Sequence, residues 1–291
     1  MQNTFTQIGL GTSTLASLGK SLSFKNAKKL FDVAIDYNIR TIDTADTYGS
    51  GDAERLIGKI TKGKRKDLFI ISKVGYPYLD VPRYLSPINQ FGKKLLQGVG
   101  IKKNFTKKYI INNIEKSLKR LNTDYLDTYL LHDLEYSDIS KYKEEFMDAF
   151  YMIKKKGLSR YVGISSNNID LLEYSFEKNN LDVFQTKMIF NKKSTTFNDL
   201  KKKGYQVIVN SIVKQSLEKK LNIIKILEKF DIKKDYQQAV LIAYYTYKHK
   251  LDCVLVGTQN INHLMLIGGV YEKYEKNFYE LFSYMDEFFL W

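Results

Sequence analysis

The feature that most limits what this chain can fold into is a strand–helix rhythm that runs from one end to the other. Short runs rich in β-branched or aromatic residues, each bounded by polar or glycine positions, read as strands. They are Ile8–Gly11, Thr41–Ala45, Leu68–Lys73, Tyr125–His132, Tyr161–Ser165, Val183–Met188, Gln206–Ser211 and Cys253–Thr258. Helical patterns lie between them. Phe24–Tyr37 places Ala27, Leu30, Phe31, Ala34 and Ile35 on one face, and Tyr109–Leu121 does the same with Ile110, Ile111, Ile114, Leu118 and Leu121. Ser140–Lys156 and Ile169–Lys178 follow the same spacing. Strand–helix alternation implies a parallel sheet. Eight such units in 291 residues predict an α/β fold of one domain, a closed (β/α)8 TIM barrel over residues 1–291. The alternative, an open doubly wound sheet, often carries G-x-G-x-x-G after its first strand. Here Gly9-Leu10-Gly11 has no third glycine at that offset, and neither a P-loop nor HExxH occurs.

Two departures from the rhythm stand out. Pro77, Pro82 and Pro87 are the only prolines, and with Gly92, Gly98 and Gly100 they predict a long loop over about 74–104. Long loops in compact domains usually bind or cover something. The aromatic stretch Tyr271–Trp291 predicts a final amphipathic helix packed on the barrel.

Composition excludes several classes. With 44% hydrophobic residues the chain can bury a large core, so disorder is not expected. One cysteine, Cys253, lies in an apolar run and can build neither a disulfide framework nor a cysteine-based zinc site. No apolar stretch is long enough to span a bilayer and MQNTFTQIGL does not read as a signal peptide, so a cytoplasmic protein without membrane partners is expected. The net charge of +14 raises the question of nucleic acid. Yet only six of the basic residues are arginine (40, 55, 65, 83, 120 and 160), and the rest are lysine in a chain rich in Asn, Ile and Tyr. Base readout favours the arginine fork, so compositional bias explains the surplus better, and no nucleic-acid partner is expected. Lys154–Lys156 and Lys201–Lys203 each end a helix, where cations complement the dipole and stay solvated.

A parallel barrel puts its chemistry at the C-terminal ends of its strands. Those ends carry Asp43, with Tyr48 on the loop beyond, then Lys73 and His132, then Ser165, Ser166 and Asn167. Gln185, Asn210 with Ser211, and Gly257 with Thr258 complete the set. A phenol, an ammonium, a carboxylate and an imidazole together suit carbonyl reduction. Tyr is a poor acid at neutral pH, and a neighbouring Lys ammonium stabilises phenolate and should lower its pKa. A carboxylate keeps the Lys charged. A neutral His can donate a hydrogen bond to the carbonyl oxygen as it gains charge. His249 and His263 end no predicted strand and read as surface or helix residues.

At this point the chain resembles the aldo-keto reductase superfamily. The segment NIRTIDTADTYGSGDAERLIG (38–58) is similar to its signature, with Tyr48 five residues after Asp43. Lys73 in IISKVG, His132 in YLLHD, the Gly9–Thr12 element, Gly163-Ile164-Ser165 and Gln185 also match, over about residues 7–268. The resemblance implies an NAD(P)H-dependent reductase of a small-molecule carbonyl. Tyr48 would be the general acid, tuned by Lys73 and Asp43, and His132 would orient the carbonyl. It implies a nicotinamide across the barrel mouth, its carboxamide held by Ser165 and Gln185. Gly11, Thr12, Asp43, Ser166, Asn210, Ser211, Gly257, Thr258 and Gln259 would line the cofactor, NADPH or NADH, with no metal, in a monomer or weak homo-oligomer.

The sequence departs from the family pattern in three places. Ser166 stands where the family often has Asn, with Asn167 one step later. Asn210 stands where many members stack an aromatic on the nicotinamide. The run VNSIVKQ (209–215) is similar to a branch that accompanies bacterial surface-sugar biosynthesis, which points to a sugar or nucleotide-sugar substrate. Gln259 replaces the Arg that meets the 2′-phosphate of NADP, and Leu266-Ile267 replaces a Glu-Asn pair at the adenine, leaving Lys214, Lys219 or Lys220 for phosphates. A second reading, a nucleotide-binding regulatory or scaffold barrel, is distinguished by binding without turnover.

Overall fold

The structure, a computed structural model, describes residues 5–15, 21–78, 102–168, 171, 181–188, 195–218 and 223–288. Eight parallel strands close on themselves in sequence order: β1 (Ile8–Gly11), β2 (Thr41–Asp43), β3 (Phe69–Val74), β4 (Leu126–Leu131), β5 (Ser159–Ser165), β6 (Val183–Lys187), β7 (Gln206–Asn210) and β8 (Cys253–Val256). The seam is the β1–β8 pair, in register at Gly9 and Leu255. The expected closed barrel is the observed one. Every expected strand is present within a few residues of its predicted bounds.

Helices wrap the barrel: α1 (Phe24–Asp36), α2 (Asp52–Ile60), α3 (Lys107–Leu121), α4 (Tyr136–Lys155), α5 (Thr195–Lys202), α6 (Ile212–Glu218), α7 (Ile224–Lys229), α8 (Gln237–Lys248), α9 (Ile261–Tyr274) and α10 (Phe278–Phe288). In α1 the Ser23 hydroxyl caps the first turn by accepting from Asn26 N–H, and Ala27, Leu30, Phe31 and Ala34 are buried. Burying a Leu or Phe of this kind contributes about 1.5–3 kcal/mol. The aromatic tail is two helices rather than one, because α9 runs to Tyr274 before a short turn starts α10. The helix expected over Ile169–Lys178 and most of the long loop over about 74–104 lie outside the described residues.

Side chains alternate along each strand, so every second residue points into the barrel. Phe69, Ile71, Leu130, Val183, Ile208, Cys253 and Leu255 fill it as one buried cluster, with Phe5 and Tyr161 against its lower end. Cys253 is buried there, as its apolar run implied. Gly163 is required where β5 meets β6, because a Cβ at that position would lie 2.0 Å from the Val183 carbonyl oxygen.

At the N-terminal ends of the strands, three aspartates stitch neighbouring strands together. Asp127 accepts from Ile70 N–H (2.8 Å), Asp182 from Val162 N–H (2.9 Å) and Asp252 from Val207 N–H (2.7 Å). Each also meets cations: Asp127 pairs with Arg65 and Arg160, Asp182 with Lys154, and Asp252 with Lys201. Arg65 and Arg160 lie 4.1 and 4.4 Å from the Tyr125 ring centroid. The helix-ending lysines expected to be solvated therefore include two that anchor the floor, Lys154 and Lys201. His249, which closes α8, is buried and not at the surface. Its ring contacts Phe197 and Tyr245, and burial pushes its pKa down to about 4.

Candidate active site

The register lifts one polar layer above the apolar fill. Gly11 pairs with Asp43, Asp43 with Ile71, Ser165 with Gln185, and Lys187 with Asn210. Lys73 stands two residues beyond Ile71 on the same face of β3, and His132 follows the end of β4. Apart from Ile71, which belongs to the apolar fill, these residues line a cavity of about 860 Å3 at the C-terminal mouth, together with Tyr48, Asp133, Ser211, Gly257 and Thr258.

Tyr48 reaches the cavity from a tight turn. Gly49, Ser50 and Gly51 have φ of 59°, 55° and 89°, three successive left-handed residues. Gly51 is required twice over, by its φ and because a Cβ there would lie 2.8 Å from Arg120 Cδ. The turn feeds α2, whose buried Glu54 accepts from Ser72 Oγ (2.5 Å) and from Arg120 Nε (2.7 Å). Ser72 is next to Lys73, so one carboxylate locks the Tyr48 turn to the strand that carries the lysine. Two further left-handed residues follow site residues at the rim: Asp133 (φ 52°) after His132 and Ser211 (φ 64°) after Asn210.

Lys73 Nζ donates to Asp43 Oδ2 (2.6 Å) and to the Thr44 carbonyl (3.0 Å). Its Nζ lies 5.4 Å from the Tyr48 ring centroid, and the Tyr48 and His132 rings meet edge to face at 5.9 Å. Burial would lower the pKa of Lys73, but the Asp43 carboxylate and the Tyr48 oxygen outweigh it, so the ammonium is held charged. Burial lifts Asp43 above the usual carboxylate range against the pull of Lys73. For Tyr48 the expectation of a lowered pKa is overturned. Burial pushes the phenol up and exceeds the downward pull of Lys73, while Asp43 and Asp133 add to the rise. Desolvation of an oxyanion is the larger effect at this depth.

The residues expected at the cofactor divide. Gly11, Asp43, Ser165, Gln185, Asn210, Ser211, Gly257 and Thr258 line the cavity. Thr12 is buried behind it with its hydroxyl donating to the Asp43 carbonyl (2.9 Å). Ser166 turns away to donate to the Leu134 carbonyl (2.7 Å), and Asn167 faces the cavity instead. Gln259 donates to the Thr14 carbonyl (2.6 Å), tying the β8 loop to the β1 loop. Gln185 is 2% exposed; its Nε2 donates to Asp43 Oδ2 (3.2 Å), while its Oε1 has no hydrogen-bond donor. Asp133, Lys187, Lys214 and His263 also line the cavity, and His263 is an exposed residue of α9, in keeping with its reading as a surface or helix residue. The β4 and β6 ends could have flagged Asp133 and Lys187. Lys219 and Lys220 lie outside the described residues. Among the described residues, no group of three or more His, Cys, Asp or Glu is placed to hold a metal, and no helix is long and apolar enough to cross a membrane.

An eight-stranded parallel barrel with a phenol, an ammonium, a carboxylate and an imidazole gathered at its mouth is the class that this fold and site define. The chain belongs to the aldo/keto reductase family, whose family model matches residues 7–280. It is 31% identical over 178 residues to the uncharacterized oxidoreductase YqkF of Bacillus subtilis, covering 60% of this chain and 49% of that protein. It is 25% identical to L-galactose dehydrogenase of Arabidopsis thaliana, covering 69% and 59%. D-threo-aldose 1-dehydrogenase of a Pseudomonas species is 28% identical, covering 60% and 54%. The matched regions thus span about half the length of these curated relatives. Among solved structures, the holo form of an aldo-keto reductase from Bacillus halodurans superposes with a TM-score of 0.70 at 21% identity, covering 96% and 91%. A Klebsiella pneumoniae aldo-keto reductase in complex with NADPH gives 0.68 at 20%, covering 95% and 90%.

Proposed function

We propose that the chain reduces an aldehyde or ketone to an alcohol with a nicotinamide dinucleotide, and that Tyr48 is the general acid. The observation that carries this reading is the convergence of Tyr48, Lys73, Asp43 and His132 on one cavity beside a buried acceptor that lacks a donor, Gln185 Oε1. A carboxamide N–H2 fits that atom, and Ser165 stands beside it in register. A reduced nicotinamide bound there supplies the two electrons, transferred as hydride to the carbonyl carbon. His132 orients the carbonyl by donating a hydrogen bond to its oxygen. Tyr48 delivers its proton to that oxygen as charge develops. Lys73 stabilises the phenolate left behind, and Asp43 holds Lys73 in place.

The raised pKa of Tyr48 supports this division of labour. The phenol stays protonated in the resting site, and Lys73 lends its stabilisation only once the proton leaves. The substrate is a sugar or a sugar derivative, a reading supported by relatives that are an L-galactose dehydrogenase and a D-threo-aldose 1-dehydrogenase. NADPH is favoured by the neighbour that binds it. Gln259, engaged with Thr14, offers no cation to a 2′-phosphate, whereas Lys187 and Lys214 are described cations that line the cavity. Fluorescence titration with NADPH and NADH side by side, followed by a panel of aldehydes and aldoses, tests the proposal. Saturable binding and carbonyl-dependent oxidation are expected. Binding without turnover on any carbonyl would favour the regulatory or scaffold reading instead. We further propose a cytoplasmic location and a monomer or weak homo-oligomer.

A further inference from the structure

A second cavity, of about 750 Å3, adjoins the first and shares Asp133 and Asn167 with it. The wall between them is built from His132, Asp133 and Tyr76. The Tyr76 hydroxyl donates to Asp133 Oδ2 (3.1 Å), and the Tyr76 ring meets His132 edge to face with centroids 5.5 Å apart. The loop from β4 to α4 that forms its floor is pinned at several points. Lys103 Nζ donates to the Asp133 carbonyl (2.5 Å) and pairs with Asp138 (2.7 Å) and Glu135 (3.3 Å). Ser166 Oγ holds the Leu134 carbonyl, Leu134 N–H donates to the Ser165 carbonyl, and Glu135 and Asp138 form a capping box on α4. These contacts hold the backbone of the loop in place.

Its lining is specific in chemistry. Asp133 and Glu135 supply carboxylates, Asn167 and Asn168 carboxamides, and Tyr76 and Tyr136 aromatic rings. Among its described lining residues there is no Lys or Arg. An anionic group would face Asp133 and Glu135, and the neighbouring cation, Lys103, is already shared among Glu135, Asp138 and the Asp133 carbonyl. A cation is also poorly served, because Tyr76 and Lys103 already engage those carboxylates. An uncharged polyol suits every part. Carboxylates accept from paired hydroxyls, carboxamides both give and accept, and aromatic rings cover the C–H face of a pyranose.

Resting on the reductase reading, we infer that this second cavity binds a neutral sugar unit of the substrate that does not itself react. Asp133 is the hydroxyl acceptor shared between that unit and the reacting one. The preferred substrate is therefore an uncharged saccharide of at least two units with a carbonyl at one end. A free small aldehyde, a sugar phosphate or a nucleotide-sugar placed with its phosphates here is disfavoured.

The experiment compares kcat/KM for reducing disaccharides (maltose, cellobiose, lactose), the matched monosaccharide, its 6-phosphate and a short aliphatic aldehyde. It uses the full chain and the variants Tyr136→Ala and Glu135→Gln. The ratio of disaccharide to monosaccharide should exceed one in the native chain and fall about tenfold in Tyr136→Ala, a size typical of one lost contact group. Glu135→Gln should lower it by a smaller factor. A ratio at or below one, a ratio unmoved by both variants, or a preference for the phosphorylated sugar overturns the inference. Saturation-transfer NMR with a methyl glycoside, which has no carbonyl, reads the cavity independently of turnover. If no carbonyl is reduced, the reductase reading fails alone when the glycoside signal is present and is lost in Tyr136→Ala. Absence of that signal in the native chain overturns the subsite as well.

Discussion

The barrel holds buried carboxylates at both ends, and their surroundings differ. At the floor, Asp127 is fully buried and receives two guanidinium groups and a backbone N–H. At the mouth, Asp43 is nearly as buried but receives one ammonium and one carboxamide, and it faces a cavity. The floor carboxylate is satisfied entirely by the fold. The mouth carboxylate belongs to a group in which burial disfavours charge on both Asp43 and Tyr48, and in which Gln185 keeps an acceptor unfilled. Satisfied buried networks secure a fold, whereas partly satisfied ones are costly unless a ligand completes them. The same residue types are thus used for stability at one end and for chemistry at the other.

This contrast can be broken from either side. The largest effect is expected from Tyr48→Phe, which should lower kcat by roughly 10²–10⁴-fold, the usual contribution of a general acid. Nucleotide affinity and the denaturation midpoint should stay close to native. A mutant that turns over normally would remove Tyr48 from the mechanism. Asp127→Ala should do the reverse. Urea unfolding should show a loss of about 3 kcal/mol, because Arg65 is left without its buried partner, while kcat per folded molecule is retained.

The floor side also carries a proton-sensitive element in His249. Its folded pKa of about 4 lies below the model-peptide value of 6.5. The fold therefore favours the neutral ring, and its contribution is complete above pH 6.5 and is lost as pH falls towards 4. The loss amounts to up to about 3 kcal/mol by linkage. His249→Phe should flatten the stability curve across that window in urea titrations at stepped pH. The smallest effect is expected at Lys154→Ala. Lys154 and Asp182 are both partly exposed, and exposed pairs contribute less than about 1 kcal/mol. A loss as large as that of Asp127→Ala would mean that the floor aspartates act as a coupled set.

The strands and the four catalytic candidates were legible because both are local. Each strand is a short run with its own boundary residues, and Asp43, Lys73 and His132 each stand at or beside one such boundary. What was hidden depends on distance and depth. The floor stitches join residues 57, 20 and 45 positions apart, and no local pattern announces them. A single step along the chain turned Ser166 towards Leu134 and left Asn167 at the cavity. The direction of the Tyr48 shift required a comparison of desolvation with the pull of Lys73, and only burial decides that comparison. His249 lies between two lysines, a context that reads as solvent, yet the ring turns inward against Phe197.

The left-handed residues at the rim have a consequence for how such a protein can change. Ser50, Asp133 and Ser211 each hold a backbone shape that costs a non-glycine residue roughly 1–2 kcal/mol. Asp133 and Ser211 each follow a residue that faces the cavity, and Ser50 lies two residues after another, Tyr48, so the rim stores conformational energy that the stitched floor offsets. Lineages that alter the rim to accept a new substrate draw on the same reserve. Mutations that reinforce the floor should therefore be permissive, appearing before the changes in specificity that they make tolerable.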